Sequence, residues 1–260
     1  FTGLADSPES GDIATFNLPI KASDSDEIRF NLWLMDSAWL DKAEQKCHTG
    51  VKKQAVEWYT KKSEELKKQI GGKPVPSVLF QHIPFTEAVR LHEECGKDDF
   101  GALPVFRKGQ PERYMRLDPN SADGVFGEPI DGCEENYGEF DAIKKQGDVL
   151  AAVFGHDHRN LFTAELDGIK IWQSSAASFR CYGSKYRGVR VIEIDENDPE
   201  SIKTYFLTYF ELCGKTPVSV LSYIWDADGE GRKKAALIAG AAVCAAAPVA
   251  AASILRRKRK

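Results

Sequence analysis

Residues 149–158 read VLAAVFGHDH, and this stretch decides how we expect the chain to fold. Six apolar residues that run into a glycine are typical of a short, buried β-strand. Residues two apart in an extended segment lie on the same face, so we expect His156 and His158 to point into one site. The stretch therefore predicts a ligand site at the end of a strand.

The same pattern occurs earlier in the chain in a simpler form. The apolar run Val78–Phe80 leads to His82, and Pro84 fixes the loop that follows. The carboxyl ends of strands are the usual position of ligands in α/β proteins. We therefore predict that His82, His156 and His158 bind metal, whereas any one of them alone would be typical of a structural histidine.

The composition indicates a globular domain with an acidic body. The 260 residues are 42% hydrophobic and 28% charged, which is enough to bury a core. Eight of the 35 basic residues lie beyond Gly231, so residues 1–231 carry 27 basic against 39 acidic side chains, a net charge of −12. Such a body argues against a nucleic-acid partner, which requires a basic face.

The carboxyl end predicts a membrane anchor. Ala235–Leu255 is uncharged and, at ~1.5 Å per residue, is long enough as a helix to cross a ~30 Å hydrocarbon core. Five cations follow at 256–260 and three precede at Arg232–Lys234, so the positive-inside rule places the tail in the cytosol and the body outside the cell or in a lumen. An Ala-rich amphipathic or disordered tail, and a tail-anchored protein with a cytosolic body, remain alternatives.

The cysteines and the remaining histidines predict no further site. The cysteines of the body, which an oxidising compartment would allow to pair, are odd in number, and their spacing names no pairing. They are Cys47, Cys95, Cys133, Cys181 and Cys213, and Cys244 falls in the predicted span. His48 and His92 lie on polar segments, and we place both at the surface.

Other segments carry weaker strand and helix signals. Val51–Ile70 has clear helical periodicity and ends at Gly71-Gly72. Asp98–Gly138 is rich in proline and polar residues and predicts a loop-rich insertion beside the site. Short helices are predicted at Phe85–Glu94 and Phe140–Lys145, and strands at Ile13–Ile20, Ile28–Met35, Ile169–Gln173, Gly188–Asp195 and Ile202–Glu211. Val218–Trp225 is either a last strand or a juxtamembrane stem.

The order of these motifs resembles the calcineurin-like metallophosphoesterases, and most closely the single-domain phosphatases related to purple acid phosphatases. The resemblance covers about residues 12–212. Its main motifs are His82-x-Pro84, Gly127-Glu128, Asn136-Tyr137-Gly138, and Gly155-His156-Asp157-His158 with Asn160. Gln54–Tyr59, Cys181-Tyr182-Gly183 and Arg187–Val191 support it.

The resemblance implies an α/β fold in which a β-sandwich is flanked by helices. It also implies a phosphatase in which two metal ions, Fe, Zn or Mn, clamp a phosphate ester and activate water. His82 and His156 would bind one ion and His158 the other, with Asp157 a loop residue and Asn160 shaping the loop.

Three earlier motifs of that family have no counterpart at matching positions: Asp-x-His, Gly-Asp, and the Gly-Asn-His that supplies the general acid. The chain opens at Phe1, so we expect a processed or incomplete sequence that holds the carboxyl half of the domain, and the catalytic residues stay unidentified. One hypothesis is a membrane-anchored metallophosphoesterase, and the alternative is a catalytically dead, membrane-tethered binding protein of the same fold. The predicted divisions are the partial domain at 1–217, a stem at 218–234, the transmembrane helix at 235–255 and the tail at 256–260.

Overall fold

A computed structural model describes residues 14–37, 50–106, 111–226, 232–233 and 236–237. In chain order its strands are β1 (Phe16–Lys21), β2 (Ile28–Met35), β3 (Ser77–Gln81), β4 (His92–Cys95), β5 (Leu103–Val105), β6 (Arg113–Leu117), β7 (Ala122–Val125), β8 (Val149–Phe154), β9 (Leu161–Leu166), β10 (Ile169–Gln173), β11 (Gly188–Asp195) and β12 (Asp198–Thr208). The α-helices are α1 (Lys53–Gln69), α2 (Glu139–Gln146), α3 (Tyr209–Cys213) and α4 (Pro217–Asp226), and a 3₁₀ helix covers Thr86–Leu91.

A seven-stranded mixed sheet forms the centre of the fold, in the spatial order β1-β2-β3-β8-β10-β9-β7. The inner strands β2, β3, β8 and β10 run parallel, while β1, β9 and β7 pair antiparallel at the two sides. Because β3 and β8 are parallel neighbours, their carboxyl ends meet at one edge of the sheet. The segments that follow these two strands begin with His82 and Gly155.

Side-chain alternation divides the core between the two faces of this sheet. Leu79 on β3 and Ala152 on β8 belong to the larger buried cluster, which includes residues of α1 and α2. Val78 and Ala151 belong to a smaller cluster that includes Ile202 of β12. The helices therefore cover one face, and the separate β11–β12 hairpin covers the other, where Phe80, Leu150 and other apolar side chains stay partly exposed.

A buried carboxylate fastens α1 to the sheet at the start of β8. Asp148 Oδ1 accepts a hydrogen bond from the Tyr59 hydroxyl at 2.5 Å, and Oδ2 accepts from Trp33 Nε1 and Ser63 Oγ, both at 3.1 Å. Its backbone carbonyl accepts from Ser77 Oγ at 2.9 Å. Through its carboxylate and its backbone carbonyl, Asp148 thus connects β2, β3 and the start of β8 to α1. Burial raises the pKa of Asp148 despite the hydrogen bonds it accepts.

Most of the predicted strands are confirmed, and the bounds of four agree to the residue at both ends. Strands β2, β8, β10 and β11 begin and end where the pattern predicts, and Val51–Ile70 contains α1. The strand predicted at Ile13–Ile20 is β1, at Phe16–Lys21, and residue 13 lies outside the described ranges.

Three predictions of local structure were wrong. The helix predicted at Phe85–Glu94 is a 3₁₀ helix followed by β4, because His92–Cys95 pairs with β6. The insertion at Asp98–Gly138, in contrast, is loop-rich as predicted, and its described residues include the short strands β5, β6 and β7. The last body strand ends at Thr208, where a capping box between Thr208 and Glu211 starts α3. The alternative of a strand at Val218–Trp225 was also wrong, since α4 occupies that segment.

Within the described ranges, no helix is both long enough and apolar enough to cross a membrane. Apart from positions 236 and 237, the predicted span Ala235–Leu255 lies outside those ranges, as does the tail at 256–260.

Candidate metal centre

Two of the three predicted ligands lie side by side at the ends of parallel strands. His82 follows β3 and His156 follows β8, and their ring centroids are 5.4 Å apart at an interplanar angle of 82°. The backbone joins the same two segments, because Gly155 N donates to the His82 carbonyl at 3.1 Å. This pair is therefore held by the sheet itself.

Gly155 makes this close approach possible. A Cβ atom at Gly155 would lie 3.2 Å from His82 Nδ1, which is tighter than ordinary van der Waals contact. His156, the next residue, has φ 64°, in the left-handed region that non-glycine residues rarely adopt. Such strain is commonly stored at functional sites, where the surrounding structure fixes it.

The left-handed turn corrects the expectation that His156 and His158 share a face of an extended segment. Asp157 N donates to the Gly155 carbonyl at 2.7 Å and Asn160 N to the Asp157 carbonyl at 3.2 Å, so the chain turns here. His158 contacts Tyr182 instead, with ring centroids 4.4 Å apart. Its Nδ1 is buried and makes no hydrogen bond. The structure thus brings together His82 and His156, while His158 lies against another loop.

Asp157 faces the protein interior, in agreement with its prediction as a loop residue. Its side chain is buried, and Oδ1 accepts a hydrogen bond from Asp131 N at 3.3 Å, while Oδ2 has no partner. Burial raises the pKa of Asp157 to about 8, and the nearby carboxylates of Glu128 and Asp131 raise it further.

Asn160 joins the histidine turn to the preceding loop. It is fully buried, and its Oδ1 accepts hydrogen bonds from Gly127 N at 2.9 Å and Glu128 N at 3.1 Å. The side chain therefore holds the Gly-Glu motif against the turn, as the prediction that Asn160 shapes the loop requires. Gly127 is needed at this contact, because a Cβ there would lie 2.7 Å from Arg159 Cβ.

Sequence reasoning missed two residues that build the centre. Gln173, at the end of β10, is buried and donates from Nε2 to the carbonyls of Gly155 and Asp157, the latter at 3.3 Å. Tyr182 packs on His158, and the guanidinium of Arg159 lies 5.5 Å from its ring centroid. Burial and a hydrogen bond to Glu128 raise the pKa of Tyr182 to about 12. Gln173 ends β10, which pairs in parallel with β8, so its place at the carboxyl end of a neighbouring strand is what could have identified it.

The histidine pair offers two nitrogen ligands, and the described side chains do not complete a metal site around them. His82 and His156 present two imidazoles from fixed strand ends, and Asp131 Oδ2 lies 3.5 Å from His156 Nε2. Within the described part of the chain, no group of three or more His, Cys, Asp or Glu side chains comes together closely enough to hold a metal ion. A dinuclear centre therefore requires ligands beyond these histidines.

The other histidine and cysteine predictions have mixed outcomes. His92 is half-buried in β4, with its ring 5.8 Å from that of Phe126, so its placement at the surface was wrong. Its pKa is lowered by burial. The described cysteines, Cys95, Cys133, Cys181 and Cys213, form no disulfide. His48, Cys47 and Cys244 lie outside the described residues.

Comparison with known proteins gives a distant relationship. No model of a known protein family matches the chain. A protein of Arabidopsis thaliana named "Probable inactive purple acid phosphatase 29" is 23% identical to it over 195 residues. The alignment covers 70% of this chain but 44% of that protein, so the chain spans less than half of the relative's length. This similarity points to a metallophosphoesterase-type family with a phosphatase-like fold.

Proposed function

We propose that this chain is part of a metal-dependent phosphoric-ester hydrolase, a phosphatase whose dinuclear centre includes His82, His156 and His158. The observation that carries the proposal is the contact between His82 and His156 at the ends of two parallel strands. The similarity to a purple acid phosphatase-type protein supports the same reaction class. The substrate is a phosphate ester.

Metal ions bound at such a centre polarise phosphoryl oxygens and supply a nucleophilic hydroxide at neutral pH. The role of this chain's residues is to hold and orient. His82 and His156 present nitrogen ligands, and Gln173 fixes the turn between them and His158 through two backbone carbonyls. Arg159, beside Tyr182, places a positive charge next to this turn, where a phosphate ester would bind.

We propose that the remaining ligands and the general acid come from polypeptide outside this sequence. The three motifs that would supply them have no counterpart at matching positions of residues 1–260, and the alignment covers 44% of the relative. Within the described ranges, the cover of the central sheet is uneven, since a two-stranded hairpin lies over one face, and this is consistent with the proposal.

Turnover of para-nitrophenyl phosphate with added Zn²⁺, Mn²⁺ or Fe²⁺ tests the proposal. We expect little or no activity from the 260 residues alone and robust activity from the protein extended by its upstream coding sequence. His156→Ala in the extended protein should abolish turnover without unfolding the domain, while His92→Ala, outside the centre, should retain it. Robust metal-dependent turnover by the 260 residues, or wild-type turnover by His156→Ala, would contradict the proposed site.

The second candidate is a catalytically inactive binding protein of the same fold. Two observations favour it: the Arabidopsis relative is named probable inactive, and the described residues hold no complete metal-binding group. An extended protein that contains the three missing motifs and still shows no turnover would support this candidate. An extended protein that lacks them would support it as well.

We also propose that Ala235–Leu255 spans a membrane and leaves the body in the lumen or outside the cell. The support is the uncharged length of the segment and the excess of cations at 256–260. Resistance of the full chain to alkaline extraction tests the span. Protection of the body, but not of the carboxyl tail, from protease added to sealed vesicles whose cytosolic face points outward tests the orientation.

A further inference from the structure

Helix α4 presents its polar and aromatic side to the body of the protein. Ser219 is buried, its Oγ accepts a hydrogen bond from Thr216 N at 2.9 Å, and its amide donates to Thr216 Oγ1 at 3.1 Å. One turn later, the ring of Tyr223 packs 4.8 Å from that of Phe210 and 5.6 Å from that of Phe179. These contacts fix which side of α4 faces inward.

The opposite side of α4 is apolar and exposed. Val218 is 73% exposed and Leu221 is 65% exposed, and they lie one turn apart. Val220 and Ile224, also one turn apart, are exposed as well. This polarity is the reverse of that of an ordinary surface helix, which buries its aliphatic side chains and exposes its serines. The four aliphatic residues define what we term the α4 apolar face.

The chain that follows indicates what covers this face. Nine peptide steps separate Asp226, the end of α4, from Ala235, so at ~3.5 Å per residue the helix lies within about 30 Å of the start of the predicted span. Arg232, Lys233 and Lys234 lie between them, where cationic side chains beside a span reach the phosphates of lipid headgroups. A helix that exposes four aliphatic side chains at this distance from a bilayer has the properties of an interfacial helix.

We propose that the α4 apolar face lies in the headgroup region of the membrane, parallel to the bilayer surface. This inference rests on the proposed membrane anchor at Ala235–Leu255. Because α4 is packed on Phe179 and Phe210, its attachment would orient the whole body on the membrane rather than leave it on a flexible stem. Phe179 belongs to the same loop as Tyr182, so the loop beside the candidate metal centre is linked to the membrane contact.

Site-specific photo-crosslinking of the full chain in phosphatidylcholine–phosphatidylserine vesicles tests the proposal. A benzoylphenylalanine is introduced at Leu221 and, as the matched control, at Glu200, an exposed position on β12. With radiolabelled lipid in the vesicles, we expect the adduct at position 221 to carry at least tenfold more label than the adduct at position 200. The exposed position of Leu221 means that this substitution leaves the packed side of α4 unchanged.

Two kinds of result would overturn the proposal. If the chain stays in the vesicles after alkaline extraction but position 221 labels no more lipid than position 200, the anchor stands and the interfacial helix does not. An adduct to residues 232–260 of the same chain, or to a second copy, would also overturn the proposal and would show what covers the α4 apolar face. If alkaline extraction releases the chain, the anchor fails and the inference fails with it.

Discussion

Replacement of Asp148 by alanine tests whether one buried carboxylate holds the helical layer on the sheet. Asp148 accepts hydrogen bonds from Trp33 Nε1, Tyr59 Oη and Ser63 Oγ, and all four side chains are buried. Trp33 Nε1 has a second acceptor, Ser77 Oγ, at 3.1 Å. The truncation therefore leaves the hydroxyls of Tyr59 and Ser63 as the groups that lose their partner.

Each buried polar group left without a partner costs about 1–3 kcal/mol. Two such groups give roughly 2–6 kcal/mol, and removal of a carboxylate whose pKa is raised by burial offsets part of this loss. We expect Asp148→Ala to lower the free energy of unfolding by about 2–4 kcal/mol, a large share of the ~5–15 kcal/mol of a typical domain.

Urea unfolding of the full chain in mild detergent, followed by tryptophan fluorescence, measures this difference. The signal is suited to the question because the rings of Trp33 and Trp58 are 5.8 Å apart beside the network. Asp141→Ala, at an exposed position on α2, is the matched control and should change the midpoint little. If Asp148→Ala lowers the free energy of unfolding by less than about 1 kcal/mol, the unpaired hydroxyls of Tyr59 and Ser63 do not determine the stability at this position.

Burial raises the pKa of Glu139 to about 8, so the folded protein keeps a proton that the unfolded chain loses above about pH 4.5. The free energy of unfolding should therefore fall as pH rises from about 4.5 to about 8. Glu139→Gln should remove this fall and stabilise the protein by up to about 5 kcal/mol at pH 9, but little at pH 5. Urea titrations in which the variant and the wild-type protein show the same dependence of stability on pH would contradict this. Asn160→Ala leaves the amides of the Gly-Glu motif without an acceptor and should cost about 1–3 kcal/mol in the same assay, with faster hydrogen exchange at Glu128. Asn197→Ala, in an exposed turn, is the control, and an equal loss in both variants would remove the special role of Asn160.

Strands β2 and β8 were predictable because each carries an apolar signal. Val149–Phe154 is a continuous apolar run and Ile28–Met35 alternates, and their bounds agree with β8 and β2. The helix at Lys53–Gln69 was predictable from its 3.6-residue periodicity. The position of His82 and His156 at strand ends followed from these patterns, whereas the pairing of β3 with β8, which makes those ends neighbours, is visible only in the structure.

Elements that have no apolar pattern could not be predicted. Strand β4 reads HEEC, and cross-strand ion pairs stabilise its pairing with β6, Arg116 with Glu93 and Arg113 with Glu94. The hydrophobic periodicity of the sequence does not reveal such pairs of opposite charge, because the partner residues lie far apart in the chain. The segment of α4 alternates like a strand, and the hydrogen bonds between Thr216 and Ser219 that start the helix are visible only in the structure.

The histidine turn shows why the orientation of the two rings at 156 and 158 could not be predicted. The rule that residues two apart share a face holds for extended backbone, but His156 adopts φ 64° and the rule does not apply to it. Groups that fix the turn come from segments distant in sequence, such as Gln173 Nε2 and the backbone amide of Asp131, both of which donate to Asp157. Two histidines separated by one residue therefore led to the prediction of a site, but they could not predict which ring faces which neighbour.

The way the histidine pair is built separates metal binding from catalysis. Contact between His82 and His156 depends on the pairing of β3 with β8 and on the missing Cβ of Gly155, all of which lie within this chain. Under the proposed function, an inactive protein of this fold would keep that pair, and with it two of the nitrogen ligands for an ion. Metal binding by the chain therefore cannot decide between the phosphatase and the binding protein. Turnover can, because a second ion and a general acid require residues that the described part of the chain does not bring to the centre.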